Sequence, residues 1–400
     1  MQRTADRWAS WLVPLALLIA LTAGAVKYFL GDPEYLTVAV TVLVVFCPCA
    51  LVLATPTAIM AAIGQATRHG VIIKSGEALE KMGKVDTITF DKTGTLTYGK
   101  LEVSDIISFE DGRDENTLLS LAASAEAKSE HPLGKAIISC AKERGVEILE
   151  SDDFRMTTGK GIYAAVSNRC LLCGNEKFLT ENGVSISAEI VAKLEELRAQ
   201  GKASILVADG KTCIGIVALS DVLRPEAAEM VSKLNGMNTS TVLLTGDNKM
   251  TADYFASKVG ISEIRAELLP EQKVENIVAL QKENRTVCMI GDGVNDAPAL
   301  TTAEGGVAMG CMGSDIAVEA ADIALMSDDI SKIPYLKRLS NATVKTIKVS
   351  IALSMCINFL AVTLSVIGAL NPTTGALVHN AGSCFVVLIA ALLYDRKFDK

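Results

Sequence analysis

"VDTITFDKTGTLT", residues 85–97, decides how the rest of the chain is read. Its first six residues are a short β-branched run, the composition of a buried strand, and Asp91 stands where that strand ends. Parallel sheets present ligands at the carboxyl ends of their strands, so Asp91 is delivered to such an edge. The small and hydroxyl-bearing residues after it have a backbone able to wrap an anion. Two further runs end alike, "STVLLTGD" (240–247) and "RTVCMIGDG" (285–293), with the helical patterns "TADYFASKVG" and "LLPEQKVENIVALQKE" between them. Strands alternating with helices of this length imply βαβ units, and three aspartates then converge on one edge.

A carboxylate at that edge can attack a phosphoryl group covalently and split one displacement into two. It needs cations: a Mg²⁺ shared with a second carboxylate, and a lysine to meet the developing charge. Asp292 of "GDGVNDAPAL" is the candidate second ligand, with Asp296 nearby, and Lys273 of "LLPEQK" is the candidate lysine. Thr245 and Gly246 of "TGDN" offer a hydroxyl and a backbone N–H to phosphate oxygens. A lone Asp after a strand usually only caps a helix. Three strand-end motifs together make that a poor account.

Residues from about 98 to 217 interrupt the alternation with the helical "ENTLLSLAASAEA", the strand-like "GIYAAV" and "CLLCGN", and the hairpin "SILVADGKTCIGIVAL" turning at Asp209-Gly210. They read as a separate α+β domain inserted after the first strand. No internal repeat or low-complexity tract is present.

The chain is 50% hydrophobic with a mean hydropathy of +0.34, more apolar than ordinary soluble proteins. Four stretches, roughly 11–30, 36–63, 347–368 and 376–393, approach the ~20 residues that a bilayer demands. Arg3, Arg7, Arg68, Lys74, Lys345, Lys348, Arg396, Lys397 and Lys400 flank them on one side, while the connectors "GDPEY" and "ALNPTTG" carry no Lys or Arg. A multi-pass protein of the cell membrane is expected, lipid its partner, with both termini and the large middle segment cytoplasmic. The first span has no cleavage site after it and is read as retained. Net charge is −8 without a basic stripe, which argues against a nucleic-acid partner. The ten cysteines are read as thiols rather than staples.

Within the second span, "VVFCPCALVLATP" (44–56) gives up a backbone hydrogen bond at Pro48 and flanks the break with Cys47 and Cys49. Thiolates are soft donors suited to Cu(I), Zn(II) and Cd(II). His379 and Asn380 of "LVHNAGS" and Asn358 of "MCINFL" are candidate partners, because a histidine at membrane depth is a functional-site hypothesis by default. Cys356, Cys384 and the Cys170-x-x-Cys173 pair are read as packing thiols.

Taken together, "DKTGTLT", "TGDN" and "GDGVNDAPAL" resemble the phosphorylation domain of P-type ATPases, of the haloacid-dehalogenase-like fold. The resemblance implies that Asp91 is phosphorylated by ATP, that Thr93 (through its backbone) and Asp292 contact Mg²⁺, and that Thr245, Gly246 and Lys273 contact phosphate. The Cys-Pro-Cys span and "SEHPLG" (129–134) resemble the heavy-metal-transporting branch, which implies ATP binding by Glu126, His131, Gly159, Gly161 and Asn175. By themselves, a histidine before a proline is a surface turn and a Gly-x-Gly is weak evidence.

Copper-transporting members usually carry Tyr-Asn and Met-x-x-Ser-Ser in the last two spans, where this chain has Ile357-Asn358 and His379-Asn380-Ala381-Gly382-Ser383. The Asp and Lys typical of zinc and cadmium members are also absent. His-Asn resembles a smaller group associated with manganese, zinc or related ions. A divalent Zn-, Cd- or Mn-like ion is therefore favoured, with copper the alternative. Complete members also carry an actuator domain with Thr-Gly-Glu, a motif absent from 1–400. A truncated gene or fragment is expected, with a separate actuator-containing fragment as a candidate partner.

The expected fold is membrane α-helical plus α/β: two transmembrane helices in 1–63, a linker and the start of the phosphorylation domain in 64–97, an inserted nucleotide-binding domain in 98–217, the rest of the phosphorylation domain in 218–335, and two further transmembrane helices with a short tail in 336–400. The expected function is ATP-driven export of a transition-metal cation through an aspartyl phosphate. One rival is a membrane-tethered phosphatase of the same fold, but such enzymes usually offer Asp-x-Asp and Thr93 stands at the second position. The other is a metal-binding membrane protein without pump activity.

Overall fold

Apolar residues at four-residue spacing build the helical part. The computed structural model describes residues 2–47, 49–110, 112, 114–292, 294–310 and 315–398. The chain divides into two units, Met1–Thr87 with Ile277–Met289 and Ala297–Lys400, and Ile88–Asn276 with Ile290–Asp296.

In the first unit Ala50, Ala54, Ala58, Ala62 and Ala66 line one face of the helix Cys49–Arg68, all buried. Small side chains let neighbouring backbones approach, and Ala50, Ala54 and Ala58 pack with Ile347, Val386 and Ala390 of the helices Lys332–Val366 and Pro372–Ala391. Glycines serve the same purpose: a Cβ on Gly375 would sit 2.8 Å from Val45 Cγ2, and one on Gly382 2.9 Å from Ile357 Cγ2. Among the described residues two helices, Lys332–Val366 and Pro372–Asp395, are long and apolar enough to cross a bilayer, and Tyr35–Val45 and the Pro14–Phe29 part of the helix Gln2–Phe29 are shorter apolar stretches. The expected span over 36–63 is not one helix. It ends at Val45 and restarts at Cys49; a proline cannot donate to a helical ladder, although Pro48 itself lies outside the described residues.

Short strands follow in the same unit. Val71–Ile73 runs antiparallel to Ile323–Leu325, which is parallel to Gly305–Met309. The helix Gly76–Lys84, capped by Ser75 at its amino end, meets Lys332–Val366 at a close crossing where a Cβ on Gly83 would lie 2.7 Å from Val344 Cγ2. Lys337 reaches back there, its ammonium donating to the carbonyls of Met82 (3.1 Å) and Val85 (2.5 Å) from a buried position. Cations at a helix carboxyl end are favourable, and charge-assisted hydrogen bonds are the stronger kind. Lys337→Met is expected to destabilise the chain by about 1–3 kcal/mol, the cost of leaving buried carbonyls unpaired. A lower thermal-unfolding midpoint in detergent checks this; an unchanged midpoint would mean that relief of the lysine's desolvation cancels the loss.

In the second unit the carboxyl ends of Thr87–Phe90 and Val287–Gly291 lie side by side, Asp91 N–H donating to Ile290 O at 3.0 Å. Ser240–Leu244 and, parallel to it, Glu263–Arg265 extend this sheet. The intervening helix Lys249–Val259 starts at the Asn248 cap and stops at Gly260, which takes the left-handed conformation of a helix terminator.

The same unit holds a six-stranded antiparallel sheet in the order Thr97–Ser108, Thr212–Leu223, Ala203–Asp209, Arg169–Gly174, Gly161–Val166, Ser151–Thr157. Its faces are covered separately. Val217 and Leu219 pack with Leu118, Ala122 and Ile137 of the helices Glu115–Glu126 and Pro132–Glu143, while Ile216 and Ala218 pack with Phe178, Ile190 and Leu194 of Glu176–Glu181 and Ala188–Ala199. Alternate residues of one strand thus serve two cores.

Candidate active site

Asp91 leaves the end of Thr87–Phe90 in extended conformation, and the loop Lys92–Leu96 turns sharply at Gly94, where φ is +73°. Only glycine takes that conformation without strain, and here it also lacks room: a Cβ on Gly94 would lie 1.6 Å from Asp292 Oδ2. Gly291 is similarly tight, its Cβ position 2.7 Å from Asp296 Oδ2. These two glycines let the carboxylates of Asp292 and Asp296 close on Asp91. Oxygens of the three lie within 4.8 Å of one another.

Lys273, in the first turn of the helix Pro270–Lys282, enters the group with Nζ 2.7 Å from Asp91 Oδ1 and 2.8 Å from Asp296 Oδ1. All three partners are buried. The preceding loop is sewn to the "TGDN" turn, with Leu268 N–H donating to Thr245 O (3.0 Å) and Glu267 N–H to Asp247 O (2.8 Å). Thr245 Oγ1 accepts from Asp247 N–H and donates to Asp247 Oδ2, and Gly246 stands beside it, its Cβ position 3.2 Å from Leu268 O. Thr93 has ordinary extended backbone, and Thr95 Oγ1 is buried in the same loop, without a hydrogen-bond partner among the described residues.

Three carboxylates against one lysine leave the site short of positive charge. Burial first, then the charge of Asp296, raises the Asp91 carboxyl well above the usual carboxylate range, with Lys273 opposing. For Lys273 burial pulls downward, yet Asp91 and Asp296 outweigh it and raise the ammonium. Hard oxygen donors with an unmet charge fit Mg²⁺. Because the folded Asp91 holds its proton more tightly than an unfolded one, its contribution to stability falls as pH rises above the ordinary carboxylate pKa toward neutrality. Mg²⁺ is therefore expected to raise the thermal-unfolding midpoint more at about pH 8 than at about pH 6; an equal or smaller increment at the higher pH would contradict this charge balance.

A separate cavity of about 260 Å³ in the inserted sheet is lined by Glu126, Ser129, His131, Gly159, Gly161 and Asn175, among others. All five residues expected to bind nucleotide therefore face one space. His131 caps the helix Pro132–Glu143, Nδ1 accepting from Leu133 N–H at 3.3 Å, and Asn175 caps Glu176–Glu181 while its amide donates to Gly159 O at 3.2 Å. Gly161 is needed for close packing, since a Cβ would lie 2.5 Å from Cys173 O. Burial raises the Glu126 carboxyl.

In the helical unit, Cys47, Cys49 and His379 bring potential ligand atoms within 4.8 Å of one another. His379 is buried, and among the described residues its Nε2 has no hydrogen-bond partner. Asn358 is adjacent, donating through Nδ2 to Cys47 O at 3.2 Å, whereas Asn380 is exposed and stands outside the cluster, because successive helical residues diverge by about 100°. The expectation of thiols throughout is corrected here: Cys47 and Cys49 form a disulfide. Two residues apart, their sulfurs are close enough to bond, so the dithiolate ligand form is the reduced one. Elsewhere Cys173 is buried, and Cys170, Cys356 and Cys384 are exposed.

The family model described as haloacid dehalogenase-like hydrolase matches residues 85–304. The chain is similar to a copper-exporting P-type ATPase of Bacillus subtilis (strain 168), 41% identical over 402 residues, covering 99% of this chain and 50% of that protein. It is also similar to a manganese-exporting P-type ATPase of Mycobacterium bovis (strain ATCC BAA-935 / AF2122/97), 37% identical, covering 100% of this chain and 55% of that one. In fold it matches the crystal structure of a zinc-transporting PIB-type ATPase in the E2.Pi state with a TM-score of 0.89 and 34% identity, over 97% of this chain and 63% of that chain. The chain belongs to the haloacid dehalogenase-like hydrolases, in the heavy-metal P-type ATPase branch. It spans about half the length of the curated relatives it matches.

Two contacts in this P-type ATPase chain were not singled out from its sequence. Lys92 Nζ pairs with Asp247 Oδ2 at 2.6 Å and lies 5.1 Å from the Phe255 ring centroid, tying the Asp91 loop to the "TGDN" turn. Asp221 Oδ2 accepts from the Thr97 hydroxyl at 2.5 Å where the inserted sheet joins the parallel one. Lys92 and Asp247 stand inside quoted motifs, the available signal, but a pairing between residues 155 positions apart has no periodicity to betray it.

Proposed function

We propose that this chain drives export of a transition-metal cation with ATP, through an aspartyl phosphate on Asp91. The observation that carries the reading is the Asp91–Lys273–Asp296 arrangement, at 2.7 and 2.8 Å, beside Asp292. An Asp91 carboxylate oxygen forms a bond to the γ-phosphorus of ATP as the bond to the ADP oxygen breaks, and ADP carries that electron pair away. Lys273 holds the attacking oxygen and balances the negative charge gathering on the phosphoryl group. Asp91, Asp292 and the Thr93 backbone would hold Mg²⁺, which neutralises phosphoryl oxygens when bound. Thr245 and Gly246 contact phosphate, and the cavity lined by Glu126, His131, Gly159, Gly161 and Asn175 takes the nucleotide. The single carboxylate in Asp91-Lys92-Thr93 favours a lasting phosphoenzyme over the phosphatase reading.

The domain plan follows: four membrane spans in 1–63 and 336–400, the phosphorylation domain in 64–97 and 218–335, and the nucleotide domain in 98–217. Membrane placement with cytoplasmic catalytic parts rests on the Lys and Arg flanking the spans. The ion is held by Cys47 and Cys49 in the dithiol form with His379, and Asn358 supplies a carbonyl oxygen. Soft, borderline and hard donors together suit a divalent ion such as Zn(II) or Mn(II) better than Cu(I). Metal binding to reduced, detergent-purified chain tests this, comparing the parent with Cys47→Ser/Cys49→Ser and with His379→Ala. Zn(II) or Mn(II) binding lost in both variants is expected. Tight Cu(I) binding indifferent to His379, with no specific divalent binding, overturns the assignment.

A further inference from the structure

Arg224 is a buried cation at the point where the inserted sheet hands the chain back to the phosphorylation fold. The chain enters that sheet along Thr97–Ser108 and leaves it along Thr212–Leu223, with Thr97 paired to Leu223 at the junction. One residue further on, Arg224 N–H donates to Leu96 O at 2.9 Å. Its guanidinium then reaches into the Asp91 loop, Nε donating to Thr97 O and Nη2 to Gly94 O, each at 3.2 Å, while Cζ lies 4.6 Å from the Tyr98 ring centroid. One residue thus holds the carbonyls of 94, 96 and 97.

Gly94 is where that hold matters. The Asp292 carboxylate fills the place a Cβ would take on Gly94, so a shift of the loop moves the two apart or displaces the carboxylate. Gly94 has no side chain of its own to anchor it, so its carbonyl is the handle by which the loop can be fixed. A guanidinium presents donors in a rigid planar fork and can serve two carbonyls at once, while an ammonium is a point donor on a flexible stem. We infer that Arg224 is a positioning residue that fixes the Gly94 turn against Asp292, so that the geometry of the Asp91 site depends on the hinge carrying the nucleotide-binding sheet. This rests on the proposed phosphorylation of Asp91, but the hold itself is testable without it.

The test uses the full chain in detergent with Arg224→Lys and Arg224→Met. Amide hydrogen exchange over 92–97, without ATP or metal, is expected to quicken by about tenfold in Arg224→Met and less in Arg224→Lys, while exchange in Gly161–Val166 and Arg169–Gly174 stays that of the parent. Labelling of the chain by ATP is expected to slow by about 10²-fold in Arg224→Met, the cost of a misplacement on the order of 1 Å, with a higher half-saturating Mg²⁺. Binding of a fluorescent ATP analogue is expected to stay within about twofold of the parent, since that cavity is separate. Unchanged loop exchange in both variants overturns the inference, as does labelling at the parental rate and parental Mg²⁺ requirement. If Arg224→Met exchanges rapidly everywhere, Arg224→Lys decides: loop-restricted quickening supports the role, and a parental loop removes it. If the parent itself takes no label, the function is wrong, and the exchange comparison still judges the hold.

Discussion

Asp91→Asn is expected to abolish incorporation of the γ-phosphate of ATP, a fall of at least about 10⁴-fold, the scale on which removal of a nucleophile registers. The amide keeps the shape of the carboxylate but has no anionic oxygen to form the mixed anhydride. Folding should survive. Asp91 shares a buried pocket with Asp296 and lies near Asp292, so removing its charge relieves repulsion even as Lys273 loses one of two carboxylate partners. The expected picture is a variant that binds nucleotide like the parent, melts at a similar or higher temperature, and takes no acid-stable label. A variant labelled as readily as the parent would remove Asp91 from the chemistry and leave its contacts with Lys273 as structural only.

Gly94→Ala is expected to produce the second largest loss, about 10²-fold or more in labelling rate with a raised Mg²⁺ requirement. Two effects combine. Alanine in the left-handed region costs roughly 1–2 kcal/mol, and its methyl carbon would lie 1.6 Å from Asp292 Oδ2, a separation at which the carboxylate must swing away. Gly99→Ala separates them. Gly99 has φ +65°, so the strain is similar, but the atom nearest its Cβ position is Gly94 N at 3.4 Å. Gly99→Ala should therefore destabilise the chain by a comparable amount while labelling at a rate much closer to the parent's. Equal losses in the two variants would mean that backbone strain alone accounts for Gly94.

The parallel strands and the residues at their ends were legible in the sequence because the pattern is local. "TITF", "STVLL" and "VCMIG" are short apolar runs closed by Asp or Gly-Asp, and the structure has strands at Thr87–Phe90, Ser240–Leu244 and Val287–Gly291. The meeting of Asp91 and Asp292 followed from that alternation, because βαβ units bring strand ends to one edge, whereas the third strand-end aspartate, Asp247, pairs with Lys92 and the carboxylate that joins the group is Asp296. The nucleotide cavity was different. Nothing in the composition of "SEHPLG" or "TGKGI" points to a pocket, and a family resemblance supplied the residues that line it. Arg224 was invisible for a physical reason: its value lies in carbonyls about 130 residues away, and backbone acceptors leave no mark on residue type. The helix interruption was half visible. Pro48 signalled a break, but the sequence could not say that the chain would resume helix as early as Cys49, nor that Asn380 would be exposed beside the buried His379.

The most direct measurement is the position of the phosphate. Full chain incubated with ATP and Mg²⁺, quenched in acid and treated with borohydride converts an aspartyl phosphate into a reduced residue that mass spectrometry can locate. The account predicts reduction at Asp91 alone, absent without ATP and absent in Asp91→Asn. Reduction at Asp247, Asp292 or Asp296, or no reduced residue in chain that demonstrably binds ATP, would contradict it.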